Sequence, residues 1–258
     1  MKIKLLLLIV LCFQLLASKP QMGTIVKNKI TIHDAAKYIN HYNKLKLLLK
    51  KGKNVNLLDN NGDTPLYINL LYGNFTNNSS DNKERLKKAS LLIKNGAKVN
   101  IKGSALPLIF YSVKDYDMLK LLVESGANVN ERNNFKHLMA RGNDTPLHWA
   151  SQYGTLKEVK YLLKKGANIN TKDDSGWLPI HCAIFSGNTE IVKFYFSKKV
   201  DRTIKTTKEF KVLWGGWAEN PYPQNSNLLQ VAKIAQSNAH RHNKKASDYD
   251  DIIILLKK

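Results

Sequence analysis

The sequence is poor in cysteine and in arginine, and it holds no apolar run long enough to cross a bilayer. It has two cysteines in 258 residues, Cys12 and Cys182. With residues 1–18 set aside as a leader, a single thiol remains. That excludes an internal disulfide and a cysteine-based metal site, so packing alone must stabilise the fold. Of 41 lysines and arginines, only five are arginine, within a formal net charge of +21. Guanidinium forks suit phosphates and base edges; ammonium groups are point charges. The basic balance is therefore poor evidence for nucleic acid. A glycine-rich phosphate loop, H-E-x-x-H and G-x-S-x-G are all missing, and an enzymatic reading has no support. A hydrophobic fraction of 43% excludes disorder for the chain as a whole.

The longest apolar stretch is at the N-terminus. Lys2 and Lys4 precede Leu5 to Leu16, interrupted by Gln14, and small Ala17 and Ser18 come after. This is the layout of a secretory signal peptide over residues 1–18. The run is well short of the roughly 20 residues needed to span a bilayer. Export, to the periplasm or medium, is the expectation. Ile252 to Leu256 is too short to add a span.

Two sequence themes then alternate. LLLKKGKNVN (47–56), LLIKNGAKVN (91–100), LLVESGANVN (121–130) and YLLKKGANIN (161–170) each carry an apolar helix end, a glycine and a closing asparagine. DTPLY (63–67), ALPLIF (105–110), DTPLHWA (144–150) and WLPIHCA (177–183) each start an element. Thr64 and Thr145 suit helix N-caps, with proline at the first helical position. Ala150 and Ala183 let neighbouring helices approach, and Leu162 and Leu163 supply core. Gly96, Gly126 and Gly166 suit left-handed helix ends, and lysines before such glycines favour the helix dipole. Periodic units of this kind bury their apolar faces only by stacking.

These residues resemble the ankyrin repeat. Residues 143–170, NDTPLHWASQYGTLKEVKYLLKKGANIN, follow its pattern almost end to end. Residues 173–196 follow it with Leu178 in the threonine place. The resemblance implies an all-α solenoid of helix-turn-helix units with short β-hairpin fingers. It spans residues 25–258, with repeats near 25–56, 57–100, 101–130, 131–170, 171–202 and 227–258. His33, His148 and His181 take the family's structural histidine position, and Asp173 its turn aspartate. His240 and His242 lack a third metal ligand.

Departures from the period mark insertions. GNFTNNSSDNKER, within 73–85, is polar and reads as a solvated loop; it offers a glycosylation sequon at Asn74. The third repeat is short, with Asp115 where glycine is usual. Residues near NNFKHLM lengthen a finger. The largest insertion, 203–226, carries VLWGGWAENPYPQN, in which Gly215-Gly216 suits a hairpin turn. Two readings of it stay open. Trp214, Trp217 and Tyr222 anchor a partner, or they fold back with Phe210 and cover the stack end.

The family implies a non-catalytic scaffold that holds a protein partner in a concave groove. The variable, groove-facing positions it assigns are Asn60, Asn61, Asp63, Leu71 and Tyr72 in the second repeat. In the fourth they are Asp144, Gln152 and Tyr153. In the fifth they are Lys172, Asp174, Ser175, Trp177, Phe185 and Ser186. Trp177 and Tyr153 are the expected anchors, with packing of finger on finger the alternative for both. No cofactor, metal or small-molecule substrate is expected, and a monomer is. The leader on a repeat common in eukaryotic cells implies an exported bacterial protein directed at host targets. The rival class is electrostatic binding of an anionic surface, either nucleic acid, membrane or cell envelope.

Overall fold

The computed structural model describes residues 30–73, 79–101, 106–133, 142–198, 200–201, 203–209, 222–239 and 244–257. Residues 1–18, expected as a leader, and Asn74, Phe210, Trp214, Trp217, His240 and His242 lie outside the described residues. The chain divides into two compact units, residues 1–98 and 99–258.

In the first unit, α1 (Ile32–Lys37) opens on a reciprocal cap. The Asp34 N–H donates to Thr31 Oγ1 at 3.1 Å, and the Thr31 N–H donates back to the Asp34 carboxylate at 3.0 Å. A short connection leads to α2 (Tyr42–Lys50), and Gly52 then turns the chain at φ +73°. Next come α3 (Pro65–Gly73) and α4 (Ser79–Lys94). Thr64 caps α3 as expected, accepting from the Tyr67 N–H at 3.2 Å. Inner helix α1 packs on α3 and outer helix α2 on α4. Ala35 and Ala36, fully buried, keep the inner pair close, and Leu45, Leu66, Leu70 and Leu92 fill the space between the layers.

The polar stretch from Ser79 to Arg85, expected as loop, is helical and lengthens α4 to 16 residues. Glu84 pairs with Lys88 one turn on, at 3.5 Å, and Asp81 sits in the first turn where the helix dipole favours a negative charge. Lys88 is buried and donates to the Tyr38 carbonyl just past the end of α1. Burial pushes the Lys88 ammonium below the usual lysine range, and Glu84 opposes that shift.

The second unit has two layers. The inner layer holds a 3₁₀ turn (Leu108–Ser112), α6 (Pro146–Tyr153), α8 (Pro179–Phe185) and α10 (Leu228–Ser237). The outer layer holds α5 (Tyr116–Glu124), α7 (Leu156–Lys164), α9 (Thr189–Phe196) and α11 (Asp250–Leu256). Each element packs on the next in its own layer. Ala150, Ala183 and Ala232 are fully buried where inner helices meet. Asp115 replaces the usual glycine for a local reason. It caps α5, accepting from the Met118 N–H at 3.1 Å. At the last helix pair, the Tyr249 hydroxyl donates to the Phe185 carbonyl at 3.0 Å. Its ring lies over Gly187, where an added Cβ would be 3.2 Å from the Tyr249 Cζ.

The closing asparagines link successive turns. In the first unit, Asn56 Nδ2 donates to the Gly96 carbonyl at 2.9 Å and its Oδ1 accepts from the Lys98 N–H at 2.9 Å. In the second, Asn100 ties to Gly126 and Asn128, and Asn130 to Gly166 and Asn168, in the same way. The short amide offers a donor and an acceptor at one reach, which these exposed turns use to satisfy backbone groups at helix ends. Among the described residues the fingers are tight turns with no strand, and no helix is long and apolar enough to cross a membrane.

Candidate partner-binding surface

The fingers of the second unit are locked by buried polar groups. In the fifth repeat, Asp173 Oδ1 accepts from the Ser175 and Trp177 N–H groups, both at 2.8 Å, and the Asp173 N–H donates to the Trp177 carbonyl at 2.9 Å. His148 fixes this finger to the one before. Its Nε2 lies 3.0 Å from the Trp177 carbonyl, which can only accept, so Nε2 carries the proton. Nδ1 then accepts from the Thr145 N–H at 3.1 Å. Asn143 Nδ2 donates to Asp174 at 2.6 Å, and the Asp174 N–H donates to the Gly142 carbonyl at 3.1 Å.

Six residues expected to face a partner are instead buried: Asp63, Asp144, Ser175, Trp177, Phe185 and Tyr222. Asp63 and Asp144 close their finger turns. The Asp63 N–H donates to Asp59 Oδ1 at 2.9 Å, and the Asp144 N–H to Asn133 Oδ1 at 2.9 Å. Trp177, 0% exposed, meets Tyr222 edge-on at 5.4 Å and Phe185 at 5.8 Å between ring centres. The large aromatic rings remove more apolar area from water in this cluster than they would at a finger tip. Tyr222 thus packs back onto the fifth repeat. The base of the insertion is pinned there too. The Thr207 N–H donates to the Ser175 carbonyl at 2.8 Å, and Thr206 and Ser226 are joined through the Thr206 N–H at 3.0 Å. Trp214 and Trp217 lie outside the described residues.

Asn60, Asn61, Tyr153 and Lys172 are exposed; Leu71, Tyr72, Gln152, Asp174 and Ser186 are half-buried. Trp149, absent from the expected positions, joins Tyr153 on the outward side of α6. The two rings meet at 5.6 Å, and Trp149 also meets buried Phe110 at 5.3 Å. Gln152 Nε2 donates to the Tyr153 hydroxyl at 3.0 Å, and the Lys114 ammonium lies 5.1 Å from the Tyr153 ring centre. The signal that could have found Trp149 is periodicity. Residues 149, 152 and 153 share one helical face, opposite the buried Leu147, Ala150 and Ser151.

A model of ankyrin repeats in three copies matches residues 32–133 and 110–206. The chain belongs to the ankyrin repeat family. An ankyrin repeat protein of Fowlpox virus (strain NVSL), FPV223, is 31% identical over 157 residues, which is 59% of this chain and 97% of that protein. Alpha-latrocrustotoxin-Lt1a of Latrodectus tredecimguttatus is 39% identical over 95 residues, 36% of this chain and 6% of the toxin. Human Rabankyrin-5 is 38% identical over 81 residues, 30% of this chain and 7% of that protein. The chain thus spans nearly all of the viral relative and under a tenth of the other two.

Ankyrin repeats generally mediate protein–protein interaction and are generally non-catalytic. Within this ankyrin chain, Asp144, His148 and Asp173 bring ligand atoms within 4.8 Å of one another, all buried. His148 spends one nitrogen on the Trp177 carbonyl and the other on Thr145, and Asp173 Oδ1 holds two backbone N–H groups. The group is a finger clasp and does not offer a metal three open ligands. Ser151 and Tyr195 share a buried hydroxyl contact at 2.5 Å between α6 and α9, and burial pushes the Tyr195 phenol well above the usual tyrosine range.

Proposed function

We propose that the chain is a non-catalytic scaffold that holds a protein partner against the inner face of its repeats and the adjoining fingers. One observation carries this reading. On α6, Tyr153 keeps 40% of its surface exposed beside half-buried Trp149, while Phe110 and Phe185 of the same layer are buried. Tyrosine and tryptophan are the usual anchors of protein interfaces. Exposed Lys172 and half-buried Gln152, Asp174 and Ser186 supply polar surroundings. In the first unit, Asn60, Asn61, Leu71 and Tyr72 supply the corresponding surface. The described ends of the insertion 203–226 are assigned to covering the fifth repeat through Tyr222.

The leader at 1–18 supports export, and the repeat type supports a host target for an exported bacterial protein. Fractionation of the source cells tests this: recovery of the chain wholly in the cytoplasm refutes it. For the binding reading, a photocrosslinking amino acid placed at Gln152 captures a discrete protein, and one placed at outer-layer Lys160 does not. Capture at Lys160 alone rejects the inner face.

A rival reading has one specific observation in its favour: Lys157, Lys160 and Lys164 on α7 and Lys193 on α9 are all exposed. Electrostatic binding of this kind collapses between low and moderate salt, whereas an aromatic-anchored protein interface persists.

A further inference from the structure

Each unit holds a lysine over a tyrosine ring, and the pairing reads as a receptor for one kind of side chain. Seven residues after the helix-opening prolines Pro65 and Pro146 stand Tyr72 and Tyr153. In both places a lysine from the preceding repeat lies over the tyrosine ring. Lys37 sits 4.1 Å from the Tyr72 ring centre, and Lys114 sits 5.1 Å from that of Tyr153. Lys114 is itself seven residues after Pro107, so Lys114 and Tyr153 are register neighbours on the inner face; Lys37, five residues after Ile32, also lies 5.3 Å from the Tyr38 ring centre.

We infer that these lysine–tyrosine pairs, and that of the second unit above all, recognise acidic side chains on a partner segment that also carries aromatic residues. The chemistry is local. The Gln152 amide donates to the Tyr153 oxygen at 3.0 Å and adds a polar group beside the ring. The ammonium over the ring supplies the positive charge, which favours a carboxylate. Trp149, edge-on to Tyr153 and backed by buried Phe110, provides an apolar platform beside the polar pair. An aromatic residue next to the carboxylate fits that platform in an offset or edge-on contact. The formal charge of +21 draws an acidic segment in and repels a basic one. A purely polyanionic ligand would use the charge and leave the platform idle. The inference rests on the proposed inner-face reading and names its partner chemistry.

The test uses the full chain and labelled random copolymers. A glutamate–tyrosine copolymer is compared with polyglutamate, duplex DNA and phosphatidylserine vesicles, at moderate salt. The expected result is about tenfold tighter binding of the glutamate–tyrosine copolymer than of polyglutamate. Lys114→Glu and Tyr153→Ala each weaken that binding by about tenfold, with thermal melting unchanged. Lys114→Gln, which removes the charge without reversing it, weakens it less than Lys114→Glu. Equal binding of polyglutamate and copolymer overturns the inference, as does stronger binding of DNA or vesicles. So does copolymer binding that none of the three variants changes. If Gln152 still crosslinks a discrete protein while the copolymer is indifferent to Lys114, the inner-face reading stands and the acidic assignment falls. If Gln152 captures nothing and copolymer binding survives all three variants, both fall.

Discussion

Trp177 and Trp149 lie in adjacent repeats of one unit, and they have opposite fates. Trp177 sits on a finger, where the family pattern exposes variable side chains, yet it is wholly buried against Phe185 and Tyr222. Trp149 sits on a helix and stays half-buried, touching Phe110 and Tyr153. The difference lies in the chain segment that docks beside each ring. Insertion residues 203–209 and 222–226 dock on the fifth repeat and bring Tyr222 over Trp177. Among the described residues nothing equivalent buries the outward side of α6. A large ring is therefore fully buried in one repeat and stays partly exposed in the next.

The comparison is broken most directly at Trp177. Trp177→Ala removes a fully buried indole and should cost about 3–5 kcal/mol. Urea denaturation followed by circular dichroism reads the loss; a cost below that of a surface substitution would contradict the packing role. The next largest effect is at Gly176, which has φ +75° and lies under Thr207, whose backbone N would be 2.8 Å from an added Cβ. Gly176→Ala should cost about 1–2 kcal/mol for the left-handed backbone alone. It should also raise protease sensitivity in the insertion. Unchanged proteolysis would detach the insertion base from the fifth finger.

A smaller effect is expected from pH. The Tyr195 phenol is held protonated in the folded unit by burial, although its hydrogen bond to Ser151 opposes that shift. In the unfolded chain tyrosine ionises near pH 10. Above that pH the folded state holds more protons than the unfolded one, so stability falls as pH rises. Tyr249 shifts in the same direction, also through burial. Tyr195→Phe should flatten this alkaline decline and cost about 1 kcal/mol at neutral pH through the lost hydrogen bond. Melting curves across the alkaline range decide it, and an equally steep decline in the variant would remove Tyr195 as the cause. The smallest stability effect is expected at Tyr153. Tyr153→Ala should stay within about 0.5 kcal/mol of the parent in chemical denaturation, as exposed positions do. A large loss would make Tyr153 a packing residue like Trp177.

Much of the fold can be read residue by residue. The helix-opening Thr-Pro pairs, the glycines that end helices at φ of +89° to +94° at 96, 126 and 166, and small Ala150 and Ala183 all act locally. Their meaning survives without knowledge of the neighbours. The Ser79–Arg85 stretch has the composition of a loop and is nonetheless helical. Its helix depends on Glu84 and on burial of Arg85 and Lys88. The candidate surface is less legible. Asp63, Asp144 and Ser175 stand at variable finger positions, but backbone hydrogen bonds turn them inward. Trp149 stands next to the structural His148, and its repeat position alone does not mark it as a surface ring.

The sequence by itself determined the repeat type, the places where helices begin and end, and the asparagines that close each turn, because short-range sterics and capping impose those choices within a few residues. Only tertiary structure decided which aromatic rings remain at the surface. That depends on which distant segment comes to lie over each ring, and Tyr222 reaches Trp177 across 45 residues of chain.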